Sequence, residues 1–177
     1  GKLEVIGVMN SEGKTYKTYN EINSKMSEFF LLGLLYNNAS NFSGKEVIGG
    51  NVTDRAILRF IGNVSKNKYK ILEQEEFDSK KKYSSVKVNY DKESTFYKGA
   101  YEVIINKCTR ELREDGSLSL IKDKKKLINL GDDYTSKGVR VLGVSYEKNG
   151  SMTFIGFVLI KDEIREEAIK GVEMFKN

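Results

Sequence analysis

Alternating apolar and polar positions predict an extended strand at the start of the chain, over residues 3–9. The pattern then changes twice to the three-to-four residue spacing of a helix. The first helix is predicted over 20–37 and begins at Asn20, and the second is predicted over 53–64 and begins at Thr53. Both are residue types that cap helix N-termini. Each segment gathers its apolar side chains on one stripe, so each is expected to pack one face against a core.

The middle of the chain favours a sheet. Residues 69–76, 83–90 and 93–98 form three runs rich in β-branched and aromatic side chains, as strands do. Asp91 and Lys92 separate the last two runs and are expected to form a hairpin turn. These runs therefore predict successive antiparallel strands.

The second half of the chain mixes helices with a further pair of strands. Gly99 is expected to open a short helix, because a glycine suits a turn between a strand and a helix. The later predictions are a loop at 110–116, a helix at 122–136, strands at 139–147 and 152–160, and a helix at 163–175. Hairpins and helices occur without regular strand–helix alternation, so the predicted fold class is α+β.

Composition is that of an ordinary globular domain. The 177 residues suit one domain, with 39% hydrophobic and 31% charged residues. No apolar run approaches the roughly 20 residues of a membrane span, and no signal-peptide pattern opens the chain. The single cysteine, Cys108, excludes an internal disulfide and lies among apolar residues at helical spacing. We expect a small buried core residue there, not a reactive thiol.

Charge and residue usage narrow the chemistry. With no histidine and one cysteine, the sequence offers no usual zinc, haem or Ser–His–Asp site, and no metal site is expected. The net charge of +5 and the pI near 9.1 suit an anionic ligand or simply a solvated basic surface. Paired carboxylates such as Glu75 and Glu76 are neighbours in sequence and point apart, so they are interpreted as solvated faces.

One stretch carries the candidate ligand chemistry, the run EFDSKKKYSSV followed ten residues later by FYKGA. Phe77 is surrounded by acidic and polar residues, which is a poor setting for a buried ring, so it is expected to offer an exposed stacking surface. Lys82 and Lys98 supply ammonium groups for the polar edge and phosphate tail of a ligand. Gly99 lets a ligand approach the backbone. These parts favour a nucleotide pocket.

These residues resemble the nucleotide-binding domain of P-type cation-transporting ATPases. The family pattern is a Phe followed five residues on by a Lys, and then Lys-Gly-Ala-Pro-Glu. The matching positions are Phe77, Lys82, Lys98, Gly99, Ala100 and Glu102, with Tyr101 in place of the proline. Three other segments match family motifs in the same order, namely 50–58 (GNVTDRAIL), 137–142 (KGVRVL) and 154–165, which ends KDEIR. The resemblance implies a twisted antiparallel sheet flanked by helices.

The resemblance also implies ATP as the ligand and a role for individual residues. Phe77 would stack on adenine, Lys82 and Lys98 would line its cavity, and Arg140 would face the phosphates. Asp54 would accept a hydrogen bond from the adenine amino group, although an N-cap at Thr53 and an acid in the first helical turn also explain these two residues structurally. The set expected to contact ATP is Thr53, Asp54, Phe77, Lys82, Lys98, Gly99, Ala100 and Arg140.

The same resemblance divides the chain into a nucleotide-binding domain at 1–160 and, at 161–177, a return hinge and first helix leading into a phosphorylation domain. The phosphorylated DKTGT motif and the TGD and GDG motifs of that domain, which complete its magnesium site, do not occur in the sequence. We therefore expect no catalytic residue here. The chain should bind ATP, as Mg-ATP in the parent protein, without hydrolysing it, and its partners should be the phosphorylation and actuator domains of the same polypeptide.

In that setting the domain would lie at the cytoplasmic face of an integral membrane ion pump. The pocket pattern resembles the calcium-pump branch, so calcium is the first candidate ion and another light cation the second. The heavy-metal branch is disfavoured because its pocket uses a His-Pro pair. The competing hypotheses are a stand-alone basic domain that binds nucleic acid through Phe77, Tyr83 and the lysines, and a purely structural domain.

Overall fold

A central sheet organises the computed structural model, which describes residues 2–162. The strands are β1 (Leu3–Asn10), β2 (Thr15–Tyr16), β3 (Ser40–Ser43), β4 (Glu46–Gly49), β5 (Ile71–Asp78), β6 (Tyr83–Val88), β7 (Ser94–Ala100), β8 (Arg110–Leu112), β9 (Leu118–Leu120), β10 (Arg140–Lys148) and β11 (Ser151–Asp162). The α-helices are α1 (Ser24–Leu31), α2 (Val52–Ile61), α3 (Tyr101–Lys107) and α4 (Lys124–Thr135). A 3-10 turn at Tyr19–Glu21 precedes α1, and a π-helical segment at Leu32–Tyr36 continues it.

Seven strands follow one another across the main sheet in the order β2-β1-β11-β10-β7-β6-β5, and all of these neighbours are antiparallel. The short β8 adds to β11 in parallel, and β9 pairs with β8. The β3–β4 hairpin forms a separate two-stranded sheet. The predicted α+β fold, an antiparallel sheet flanked by helices, is confirmed.

The sheet separates two hydrophobic cores. Along β11, Ile155, Val158 and Ile160 belong to the larger core, which α1, the π-helical segment and α2 cover. Phe154 and Phe157 belong to the second core, covered by α3 and α4. A strand whose side chains alternate between two covered faces must be apolar on both, and the fully buried run along β11 meets that requirement.

Both predicted helix caps are displaced from the residues expected from sequence. Asn23 caps α1, because its side chain accepts a hydrogen bond from Met26 N at 3.0 Å, while Asn20 lies in the 3-10 turn. Asn51 caps α2 by accepting from Asp54 N at 2.7 Å. Thr53 therefore lies inside the first turn of α2. In both cases a second capping residue lies two or three positions away, and sequence does not decide between them.

The hairpin turn predicted at Asp91 and Lys92 is present. The segments around Gly99 and at 110–116 differ from their predicted structures. Asp91 and Lys92 have φ angles of 48° and 73°, as a tight hairpin turn requires. The segment predicted as a loop begins with β8, which is only three residues long and shows no periodicity. The helix predicted at 163–175 lies outside the described residues.

Gly99 lies inside β7, not at a strand-to-helix turn. It pairs with Tyr83 across β6 and with Gly143 across β10. A Cβ atom at this position would lie 2.2 Å from Lys82 O, so only glycine permits the close backbone approach of β6 and β7. The following helix, α3, begins at Tyr101.

Within residues 2–162, no helix combines the length and apolar character that crossing a bilayer requires.

Cys108 should be chemically inert in the folded protein. Its side chain is fully buried, and burial raises the pKa of the thiol to about 12. We expect an aromatic disulfide reagent at pH 8 to modify Cys108 only after denaturation, because the thiolate is the reacting species. The variant Cys108→Ser/Ser136→Cys, which moves the thiol to an exposed position, is the control and should react at once. Rapid modification of the native wild-type protein would contradict the buried assignment.

Candidate functional site

A cavity of about 740 Å³ opens between the N-terminus of α2, the exposed strand β5 and the strands β7 and β10. Its volume falls within the range of small-molecule sites. Its lining residues are Asn37, Asn38, Ala39, Gly50, Asn51, Thr53, Asp54, Gln74, Glu75, Glu76, Phe77, Ser84, Lys98, Gly99, Arg140 and Leu142. Chain segments that are distant in sequence thus converge on one site.

Six of the eight residues expected from sequence line this cavity, and two do not. Those that line it are Thr53, Asp54, Phe77, Lys98, Gly99 and Arg140. Lys82 and Ala100 lie outside the lining. Their backbones are joined by a hydrogen bond, in which Lys82 O accepts from Ala100 N at 2.9 Å. This bond closes the end of the β5–β6 hairpin against β7.

Lys82 occupies the last position of a tight turn. Its φ of 73° is left-handed, and its backbone N donates to Asp78 O at 2.6 Å. The Asp78 carboxylate accepts from Lys80 N at 2.7 Å and from Lys81 N at 3.2 Å, and these bonds lower the pKa of Asp78. The basic trio is therefore ordered by its backbone, and its spacing from Phe77 does not bring the Lys82 side chain to the cavity.

Phe77 is the most exposed aromatic contact in the cavity. Its side chain lies on β5, at the edge of the main sheet, and is 54% exposed. Glu75 and Glu76 line the same wall. Arg140, at the start of β10, is also exposed and lines the cavity. A flat apolar ring and a guanidinium group therefore face one site, which suits a heterocycle that carries an anionic tail.

The floor of the cavity is a buried ion pair. Lys98 Nζ lies 2.8 Å from Asp54 Oδ1, and the side chains are only 6% and 10% exposed. Lys98 Nζ also donates to Asn37 O, and Asp54 Oδ2 accepts from Ala39 N at 3.2 Å. Lys98 therefore joins β7 to α2 while it lines the cavity, because strand alternation turns its side chain towards the helix that carries Asp54.

A second lysine, Lys66, forms a hydrogen bond with the backbone next to this floor. Lys66 Nζ donates to Asn38 O at 2.9 Å, and Lys66 is half-buried in the loop after α2. Burial lowers the pKa of Lys66, and the nearby Asp54 opposes that change. Burial likewise lowers the pKa of Lys98, again opposed by Asp54. One carboxylate thus lies beside two partly or fully desolvated ammonium groups.

Two buried amides complete the floor, and the sequence analysis did not identify them. Asn37 Nδ2 donates to Ser84 O at 3.1 Å, and Asn38 Nδ2 donates to Asp54 O at 2.9 Å. Both follow directly on the buried π-helical segment. A pair of amide side chains at the end of an apolar helix is the sequence pattern that could have identified them.

Gly50 directly precedes Asn51, the N-cap of α2, and has a φ of 60°, a conformation that favours glycine.

Comparison with known proteins identifies the family. Residues 25–167 match the family described as P-type ATPase, cytoplasmic domain N. The chain belongs to this family. The resemblance to the calcium-pump branch is also confirmed, because several similar proteins are named calcium-transporting ATPases.

The similar proteins are far longer than this chain. Calcium-transporting ATPase PAT1 of Dictyostelium discoideum is 29% identical over 75% of this chain and 14% of its own length. Putative calcium-transporting ATPase 11, plasma membrane-type, of Arabidopsis thaliana is 30% identical over 73% of this chain and 15% of its own. Calcium-transporting ATPase 1 of Saccharomyces cerevisiae is 30% identical over 81% of this chain and 16% of its own length. The N domain therefore matches about a seventh of each relative.

Breaking the floor ion pair should destabilise the domain strongly. We expect Lys98→Met or Asp54→Asn each to lower the free energy of unfolding by about 3 kcal/mol, because each leaves a buried group without its partner. The double variant should lose less than the sum of the two. Urea denaturation measures all three. Lys87→Met, which breaks the partly exposed Lys87–Glu93 pair, is the control and should cost less than about 1 kcal/mol. Additive losses in the double variant would contradict the pairing.

Proposed function

We propose that this N domain binds ATP in the cavity, with adenine stacked on Phe77 and the phosphates directed towards Arg140. The observation that carries the proposal is the convergence of an exposed ring and a guanidinium group over the Asp54–Lys98 floor. Stacking on an aromatic face is worth about 1–3 kcal/mol per base. A planar guanidinium matches phosphate oxygens with paired N–H donors. The two groups thus recognise opposite ends of one nucleotide.

We propose that the Lys98–Asp54 floor forms hydrogen bonds with the polar edge of adenine. An ammonium group has three N–H donors, and Lys98 uses two of them, on Asp54 and on Asn37 O. The third remains for a ring nitrogen of the base. A carboxylate offers about four acceptor positions, and Asp54 uses two, so one of the others is proposed to accept the adenine amino group. Thr53 and Gly99 complete the wall around the base.

In the parent protein, we propose, this domain carries ATP to an aspartate that lies outside this chain. The family membership and the names of the relatives support a calcium-transporting ATPase as that parent. Domain closure would bring the γ-phosphate to the aspartate, since phosphoryl transfer depends on positioning and charge stabilisation. Magnesium would arrive with ATP and be held by the phosphorylation domain. The domain would then face the cytoplasm and work with the phosphorylation and actuator domains of the same polypeptide.

Affinity for ATP should be modest. One aromatic stack and a few solvent-screened charges give about −4 to −6 kcal/mol, or roughly 0.05–1 mM. The carboxylates Glu75 and Glu76 beside the ring disfavour a longer polyanion, so nucleic acid is the weaker candidate. Binding of an oligonucleotide more tightly than ATP would favour that candidate instead.

Removing the ring should abolish most of the affinity. We expect Phe77→Ala to weaken ATP binding about tenfold, in proportion to the lost stacking energy, as measured by calorimetry or by amide chemical shifts. Phe77→Tyr should retain binding, since it preserves the aromatic face. Leu120→Ala, which removes another exposed apolar side chain on the distant β9, is the control. Equal affinity of wild type and Phe77→Ala would refute adenine stacking on this ring.

Arg140 should distinguish the phosphates from the nucleoside. Because the guanidinium is exposed, we expect Arg140→Gln to cost about 1 kcal/mol in ATP binding, roughly fivefold, and to leave adenosine binding unchanged. Paired titrations of ATP and adenosine measure the difference. Arg110→Gln, an exposed arginine on β8, is the matched control. If ATP and adenosine weakened equally in Arg140→Gln, its phosphate-facing role would be excluded.

A further inference from the structure

A second cleft, of about 380 Å³, lies between α2, the β3–β4 hairpin and the start of β1. It shares no lining residue with the nucleotide cavity. Four cationic side chains line it, Lys2, Lys45, Arg55 and Arg59, against one carboxylate, Glu46. Such a concentration of like charge repels itself and raises the local concentration of anions.

The cations of the cleft are short of partners. Within residues 2–162, none of the four forms an ion pair. Arg59 donates one hydrogen bond, from Nη2 to Leu3 O at 3.3 Å. Arg55 donates only through Nη1, to Gly49 O at 3.1 Å and Gly50 O at 2.8 Å. A guanidinium carries five N–H donors, so most of the donors of both arginines have no partner within residues 2–162 and are available to a ligand there.

The positions of these groups favour a phosphate. Arg55 and Arg59 lie one turn apart on the same face of α2, where residues four apart are neighbours. Lys45, from the turn between β3 and β4, and Lys2, beside the first strand, approach from two other elements. Paired guanidinium groups match the oxygens of a phosphate, and the ammonium groups add charge without directional demand. The cleft volume is near the lower limit of small-molecule sites, so the ligand is small.

We propose that this cleft binds a small phosphate-bearing anion, such as a diphosphate or a phosphate ester with more than one phosphate. The proposal does not depend on ATP binding in the other cavity. Arg55 nevertheless joins the two sites, because it holds the carbonyl groups of Gly49 and Gly50, and Gly50 lines the nucleotide cavity. An anion on Arg55 therefore acts directly on the loop that leads into α2.

Pyrophosphate titrated into the folded domain is the test, followed by amide chemical shifts. We expect saturable shifts at Val47, Val52 and Arg59, and smaller ones at Gly50. Lys45→Gln/Arg59→Gln should weaken binding at least tenfold. The exposed pair Lys125→Gln/Lys126→Gln removes the same charge from α4 and should leave the affinity unchanged. Equal losses in the two double variants, or no saturable shift in wild type, would overturn the proposal.

Two further measurements separate this site from alternatives. Arg140→Gln should not alter the pyrophosphate shifts at Val47 and Arg59, and their loss in that variant would place the anion in the nucleotide cavity and refute the cleft. A poly-glutamate peptide that bound more tightly than pyrophosphate would replace the phosphate ligand with an acidic protein segment. Co-sedimentation with phosphatidylcholine vesicles containing phosphatidylinositol phosphate would identify a lipid headgroup as the phosphate source, and its absence would identify a free phosphate compound.

Discussion

The buried ion pair between Lys98 and Asp54 is the constraint on which the site depends. A desolvated ammonium group inside a protein is stable only with a close anionic partner and further hydrogen bonds, and Lys98 has both. The pair fixes α2 against β7, and Asn38 and Lys66 extend the same network to the loops on either side. Buried contacts therefore hold the floor of the cavity together, while the ring of Phe77 and the guanidinium of Arg140 are exposed above it.

This arrangement separates fixed groups from adaptable ones. The floor would present a fixed pattern of donors and acceptors to the edge of a base. The exposed groups lie on β5 and at the start of β10, where side chains are free to close on a ligand. Under the proposed function, modest affinity would follow, because little of the ligand's binding energy would come from buried contacts. Modest affinity would also suit the proposed transfer of the nucleotide towards another domain.

Much of the fold follows from periodicity alone. The six longer strands of the main sheet (β1, β5, β6, β7, β10 and β11) and the helices α2 and α4 lie within a few residues of their predicted positions, whereas β2, β8 and β9 were not predicted. Short-range detail was less predictable. The choice of Asn23 over Asn20 as a cap, and the pairing of β8 with β11, depend on contacts with distant residues. Three-residue strands carry no pattern by which to recognise them.

Part of the lining of the candidate cavity could be predicted from the sequence, but its geometry could not. Family motifs placed Phe77, Asp54, Lys98 and Arg140 in one set, and the structure brings them to one cavity. Sequence could not show that Lys98 is engaged by Asp54, because that contact joins a strand to a helix 44 residues away. Nor could it show that Lys82 serves the hairpin through its backbone. Spacing within a motif does not specify which way a side chain faces at a turn.

Intermolecular nuclear Overhauser effects between bound ATP and the protein measure the arrangement most directly. With adenine lying on the exposed ring above the ion pair, the base protons should give cross-peaks to the ring protons of Phe77 and to the side chain of Lys98. Cross-peaks from the base to Tyr83 or Tyr97 instead, with none to Phe77, would contradict this arrangement of the nucleotide.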